Sequence, residues 1–145
     1  MTDWTPWRFL IGSWTGEGGG APGMAEAGGC TFGIELNGHV LVRRDWLRLP
    51  ATEDRAAVTH EDVMYFYPER SGWGAVYFDS EGHVTRYRGT SDGRHAALES
   101  APDADGVRYR LRYEARDEKV ALWFEIAAGQ QDFVPHVSGT LERAR

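Results

Sequence analysis

Apolar residues in this chain recur at every second position far more often than at helical spacing. "VRYRLRYEA" is the cleanest run: Val107, Tyr109, Leu111 and Tyr113 share one parity, and Arg108, Arg110, Arg112 and Glu114 the other. A period of two is that of a half-buried strand, and it predicts the aromatics inside and the guanidinium groups in water. "KVALWFEI" puts Val120, Leu122, Phe124 and Ile126 on one face, with Trp123 opposite. "HEDVMYFY" is less tidy, with His60, Asp62, Met64 and Phe66 on one face and Glu61, Val63, Tyr65 and Tyr67 on the other. Polar groups on both faces suit a partly polar cavity better than a dry core.

Turn signals punctuate these runs about every 8–12 residues, the spacing of an all-β sandwich or barrel. Asn37-Gly38 is the pair favoured in a two-residue type I′ hairpin, because both positions need φ > 0. Ser80 to Gly82, Pro68 to Gly72, "SDGR", "PDADG", "RDEK" and "AAGQQ" supply the other reversals. Ten strands follow, near 13–20, 28–36, 39–49, 59–67, 73–80, 82–90, 94–100, 106–114, 119–127 and 131–144. The one helical signal is "TPWRFLIG", where Thr5 is placed to N-cap a short turn, Pro6 to begin it and Gly12 to end it. Uniformly short connections favour a closed antiparallel up-and-down barrel over a sandwich, whose Greek keys need long crossings. With 145 residues and no break in composition, the expectation is one all-β domain over 1–145, a barrel of about ten strands with a short N-terminal helical turn.

A formal net charge of −6 counts against nucleic acid or an anionic membrane as partner. The lone Cys30 excludes an internal disulfide and a thiolate zinc site, and it reads as a small buried residue. The opening "MTDWTPWRFLIGSW" has an acid at position 3 and no long apolar run, so a soluble, cytoplasmic protein is expected. The oligomeric state is left open, a homodimer included.

"FLIGSWTGEGGG" carries the most specific pattern, Gly12-x-Trp14-x-Gly16-x-Gly18-x-Gly20. Glycine at alternate positions strips one face of the strand of side chains, so another backbone or a flat ligand can approach. No helix follows, which excludes a phosphate-binding loop. A Gly-x-Trp opening the first strand resembles the calycin superfamily of lipocalins and fatty-acid-binding proteins. That resemblance implies that Trp14 closes one end of the barrel under an Arg of the last strand, here Arg143. The longer glycine string and "PHVSGTLERAR" are similar to the nitrobindin group of ten-stranded haem barrels. The likeness covers about Phe9–Gly23 and Phe133–Arg145, and "APGM" keeps only the proline of the nitrobindin continuation. It implies haem b held by His136 and chemistry with nitric oxide or peroxynitrite, that is, a peroxynitrite isomerase. Strand parity puts His136 with Ser138, Thr140 and Glu142 on a polar face, so reaching the cavity requires a bulge near Pro135.

The densest ionisable cluster lies in "THEDVMYFY" and "YFDSEGHVTRYRG". His60 with Asp62, or His83 with Asp79, has the composition of a base and its orienting acid, the kit of a cofactor-free isomerase or cyclase. Rim salt bridges and a turn Asp account for the same residues more simply. Arg86 or Arg88 with Tyr77, Tyr87, Tyr109 and Tyr113 resembles the Arg/Tyr set that holds a carboxylate in fatty-acid-binding barrels. Only one parity can face inward, so Tyr87 or the two arginines point in, but not both. The expected function is binding of one small, largely apolar molecule inside the barrel, with haem the leading specific ligand. A carboxylate-bearing lipid or a cofactor-free reaction is the alternative.

Overall fold

The computed structural model describes residues 2–17, 22 and 26–144. Ten antiparallel strands form one closed barrel: β1 (Gly12–Gly16), β2 (Gly28–Glu35), β3 (Val40–Leu49), β4 (Val58–Glu69), β5 (Gly72–Asp79), β6 (Val84–Ser91), β7 (His95–Ser100), β8 (Val107–Arg116), β9 (Lys119–Ala128) and β10 (Val134–Arg143). Each strand pairs with its neighbours in sequence, and β1 pairs with β10 to close the ring, so no edge is left free. Gly18 and Gly20 of the glycine string, and all of "APGM" but Pro22, lie outside the described residues.

Local chemistry sets the turns. Asn37 and Gly38 both take positive φ (58° and 88°), and the His39 N–H donates to the Leu36 carbonyl at 3.2 Å. Leu36 is also left-handed (φ 52°), so strand pairing stops at Glu35–Val40, one pair short of the expected two-residue hairpin. The N-terminal turn is a 3-10 helix over Thr5–Leu10 with Pro6 in its first turn. Its N-cap is Trp4 rather than Thr5, because the Thr5 hydroxyl and N–H both donate to the Asp3 carboxylate.

That helix seals one end. Trp7 and Leu10 are fully buried, with Trp7 against Phe66 and edge-on to Trp73. Trp4 Nε1 donates to the Gly38 carbonyl at 2.8 Å, and Ser91 Oγ to the Pro6 carbonyl at 2.5 Å. Trp14 Nε1 donates to the Leu10 carbonyl at 2.7 Å. Arg143 pairs with Trp14 across the seam, lies 4.0 Å over its ring and donates to the Ile11 carbonyl at 2.7 Å. Gly12 makes room for this: a Cβ there would fall 2.1 Å from Arg143 Nη1.

The arginines of β8 do not simply enter water. Arg110 and Arg112 clamp Glu125, which is buried beneath them on the outer wall, at 2.8 and 2.7 Å. Arg112 also covers the Trp123 ring at 4.5 Å and Arg110 the Phe133 ring at 4.3 Å. A guanidinium can stack on an aromatic face while pairing a carboxylate, so this side of the barrel is clad in a second, charged layer. That cladding also explains why Trp123 sits opposite Leu122 and Phe124. Among the described residues, no helix is long and apolar enough to cross a membrane.

Candidate functional site

Beyond the plug the barrel is hollow. A cavity of about 860 Å³ opens between the hairpin turns at the far end, where Asp79, His83, Pro102 and Asp103 line its mouth. Its walls differ because inward parity selects different residues on the two sides. From β8, β9 and β10 come Leu111, Leu122, Phe124, Val137 and Leu141, with Tyr109 stacked on Phe124 at 5.9 Å. From β3 to β6 come Arg43, Asp45, His60, Asp62, Tyr77 and Tyr87.

The polar wall is organised by Arg43, a residue that the sequence reading did not single out. Its side chain is only 6% exposed and crosses the floor of the cavity. Nη2 donates to Asp62 Oδ1 at 2.9 Å, Nη1 to the Tyr113 hydroxyl at 3.0 Å, and Nε lies 3.3 Å from Asp45 Oδ2. The available signal was parity: in "VLVRRDWL", Leu41, Arg43, Asp45 and Leu47 share the face whose register partners on β4 are Phe66, Met64, Asp62 and His60. A cation and an anion two apart on one inward face compensate each other.

Asp62 is 10% exposed. Burial pushes its carboxyl up to about 6, with Asp45 adding repulsion, while Arg43 and His60 pull the other way. Its Oδ2 faces His60 Nε2 at 3.8 Å, beyond hydrogen-bond range, and His60 Nδ1 meets Glu81 Oε1 at 3.2 Å. Asp79 sits directly opposite Asp62 in the ladder and behaves in the reverse sense. Burial opposes its charge, but hydrogen bonds from His83, Tyr77 and the Glu81 N–H outweigh that and hold it at about 2. Asp79 is thus the organiser of the β5–β6 turn, and its 2.9 Å partner His83 is mostly in solvent.

These two carboxyls give opposite pH dependences in separate windows. Asp62 holds its proton to higher pH folded than unfolded, so its effect is a fall in stability as pH rises from about 4 to about 6, by up to about 3 kcal/mol. Asp79 stabilises above about 4 and loses that contribution as pH falls toward 2. Urea midpoints against pH test this: Asp62→Asn should flatten the upper window and leave the lower one.

The remaining sequence candidates divide by parity. Tyr87 points inward, 5% exposed; burial raises its hydroxyl to about 12, and it has no hydrogen-bond partner among the described residues. Arg88 is on the outer face, its side chain 86% exposed beside Glu69, and so does not line the cavity. Tyr and Arg at adjacent positions of a strand cannot both face in. Tyr77 gives its hydroxyl to Asp79, Tyr109 gives its own to Asp103 at 3.3 Å, and Tyr113 is fixed by Arg43. Cys30 is buried on the cavity wall opposite Asp45, and burial raises its thiol.

His136 occupies a bulge. The β9–β10 register slips between Pro135, opposite Glu125, and Val137, opposite Phe124, leaving His136 as the extra residue. Its ring meets the cavity-lining Phe124 edge-on at 6.0 Å, while the residue stays exposed at the rim. Among the described residues, no three His, Cys, Asp or Glu side chains converge as a metal-binding group. Searches against protein-family models and against curated proteins found no match to this chain.

Proposed function

We propose that the barrel binds one small, largely apolar molecule, laid on the wall of Leu111, Leu122, Phe124, Val137 and Leu141. The observation that carries this reading is the cavity itself: its volume of about 860 Å³ lies within the usual range for small-molecule sites. A ten-stranded barrel is wider than one that side chains alone fill, and here an apolar wall lines the enclosed space. The ten-strand meander, with a Gly-x-Trp strand latched by a C-terminal Arg, supports a calycin-like reading of the fold. The test is titration with the uncharged dye Nile red. Saturable fluorescence is expected, and Leu122→Trp, which fills the apolar wall, should weaken it at least about tenfold. Equal affinity in that variant would place the dye elsewhere and sink the reading.

A second reading rests on the bulge at His136. A haem held at the rim would draw its imidazole from His136, which is exposed and outside the cavity lining, and its aromatic wall from Phe124 and Tyr109. When bound, haem would supply ferric iron chemistry that the side chains of this chain lack. Titration with hemin is expected to give a Soret shift lost in His136→Ala; a shift unchanged by that substitution would discard this assignment.

A further inference from the structure

We propose that the molecule bound in the cavity is an amphipathic amine, with its ammonium against Asp62 and its hydrocarbon body on the β8–β10 wall. The inference rests on the cavity being a ligand site and adds the chemical class of the ligand's polar end.

Three observations carry it. First, the interior guanidinium is already committed: the two Nη atoms of Arg43 serve Asp62 and Tyr113, and its Nε faces Asp45. Its charge is already opposed by two carboxylates, although Nε itself makes no hydrogen bond, so a ligand carboxylate would arrive as a third anion there, and Arg88 is outside the barrel. Second, the charges lining the cavity are unbalanced. Asp45, Asp62, Asp79 and Asp103 face Arg43, the exposed rim residue Arg86, His60 and His83, and even with His83 counted as the cationic partner of Asp79 the carboxylates outnumber the cations, so an entering anion is repelled and a cation drawn in. Third, two polar groups that line the cavity remain open toward the guest. Asp62 is nine-tenths buried with Oδ2 beyond hydrogen-bond range of its neighbour His60, and the Tyr87 hydroxyl has no partner among the described residues. An ammonium has donors for both. A neutral hydroxyl would satisfy the hydrogen bonds but not the charge.

Binding should then be linked to protons. The groups around Asp62 are Arg43 and Asp45 from β3, His60 from its own strand, Tyr77 and Asp79 from β5, Tyr87 from β6 and Cys30 from β2, with Tyr113 reaching it through Arg43 and Glu81 through His60. Burial draws the Asp62 carboxyl into the range near pH 6, and an ammonium beside it selects the ionised form. Affinity for an amine should therefore rise between about pH 5 and about pH 7.5.

The experiment is displacement of Nile red from the intact protein by decylamine, decanol and decanoate, whose equal chains cancel the hydrocarbon contribution. Near pH 7.5, decylamine is expected to displace the dye at a concentration at least about tenfold below decanoate, with decanol between. Asp62→Asn keeps the side chain's shape and should remove the preference for the amine over decanol, together with its pH dependence, each displacement being referred to the dye affinity of that variant. Decanoate displacing as well as or better than decylamine in the unmodified protein overturns the proposal without recourse to any variant. So does an amine preference that survives Asp62→Asn. If Nile red fails to bind at all, the cavity reading falls and this inference with it, an outcome distinct from tight dye binding with no preference for amines.

Discussion

Arg43→Ala is expected to lower stability by about 4 kcal/mol, the usual cost of removing one partner from a buried ion pair. The cost arises because Asp62 and Asp45 stay behind, facing each other across the ladder with the cation gone. Asp62 would respond by holding its proton to still higher pH, so the loss should be smaller near pH 5 than near pH 8. That inequality separates the charge effect from simple loss of volume, which pH leaves alone. Arg43→Met combined with Asp62→Asn removes both charges with less change in volume and should recover much of the loss. Urea unfolding at the two pH values decides the matter. A loss below about 1 kcal/mol at both would mean that the floor is solvated and its pairing immaterial.

Trp7→Ala should cost a similar amount, about 4 kcal/mol, by a different route. Trp7 is 0% exposed, packs at 5.3 Å from Phe66 and 5.7 Å from Trp73, and its Nε1 makes no hydrogen bond. Its contribution is therefore volume and contact alone, so Trp7→Phe should retain most of it. The effect should be independent of pH, in contrast to Arg43→Ala. Because the plug lies behind the polar floor, Nile red affinity per folded molecule should hardly change. A large loss of dye binding in folded Trp7→Ala would mean that the ligand reaches into the plug.

The strands were legible in the sequence because each is specified locally. Asn37-Gly38 demands its positive φ, "SDG" and "PDADG" offer Asp side chains to their own turns, and alternation in "VRYRLRYEA" needs no partner to be read. The hollow was legible too, from His60 and Asp62 sharing a face with Met64 and Phe66. What could not be read was which member of an adjacent pair goes inside. Arg43 and Arg44 are chemically identical, and the choice is made by register with Asp62, which two strands settle together. The same limit hid Glu125, whose burial depends on Arg110 and Arg112 from the next strand. His136 was the reverse case: parity alone puts it outside, and the slip at Pro135 moves its ring onto Phe124.

The pairing of β1 with β10 has a consequence for how the chain reaches its native state. Trp14, Thr15 and Gly16 meet Arg143, Glu142 and Leu141, three pairs against the ten between β8 and β9. During synthesis the first strand emerges more than a hundred residues before its partner, so its outer edge stays unsatisfied until the tenth strand has left the ribosome. Closing so long a loop is entropically late as well as chronologically late, and few contacts reward it. Nascent chains stalled short of the last strand should therefore present an open, adhesive sheet, whose ring closes only when Arg143 arrives over Trp14.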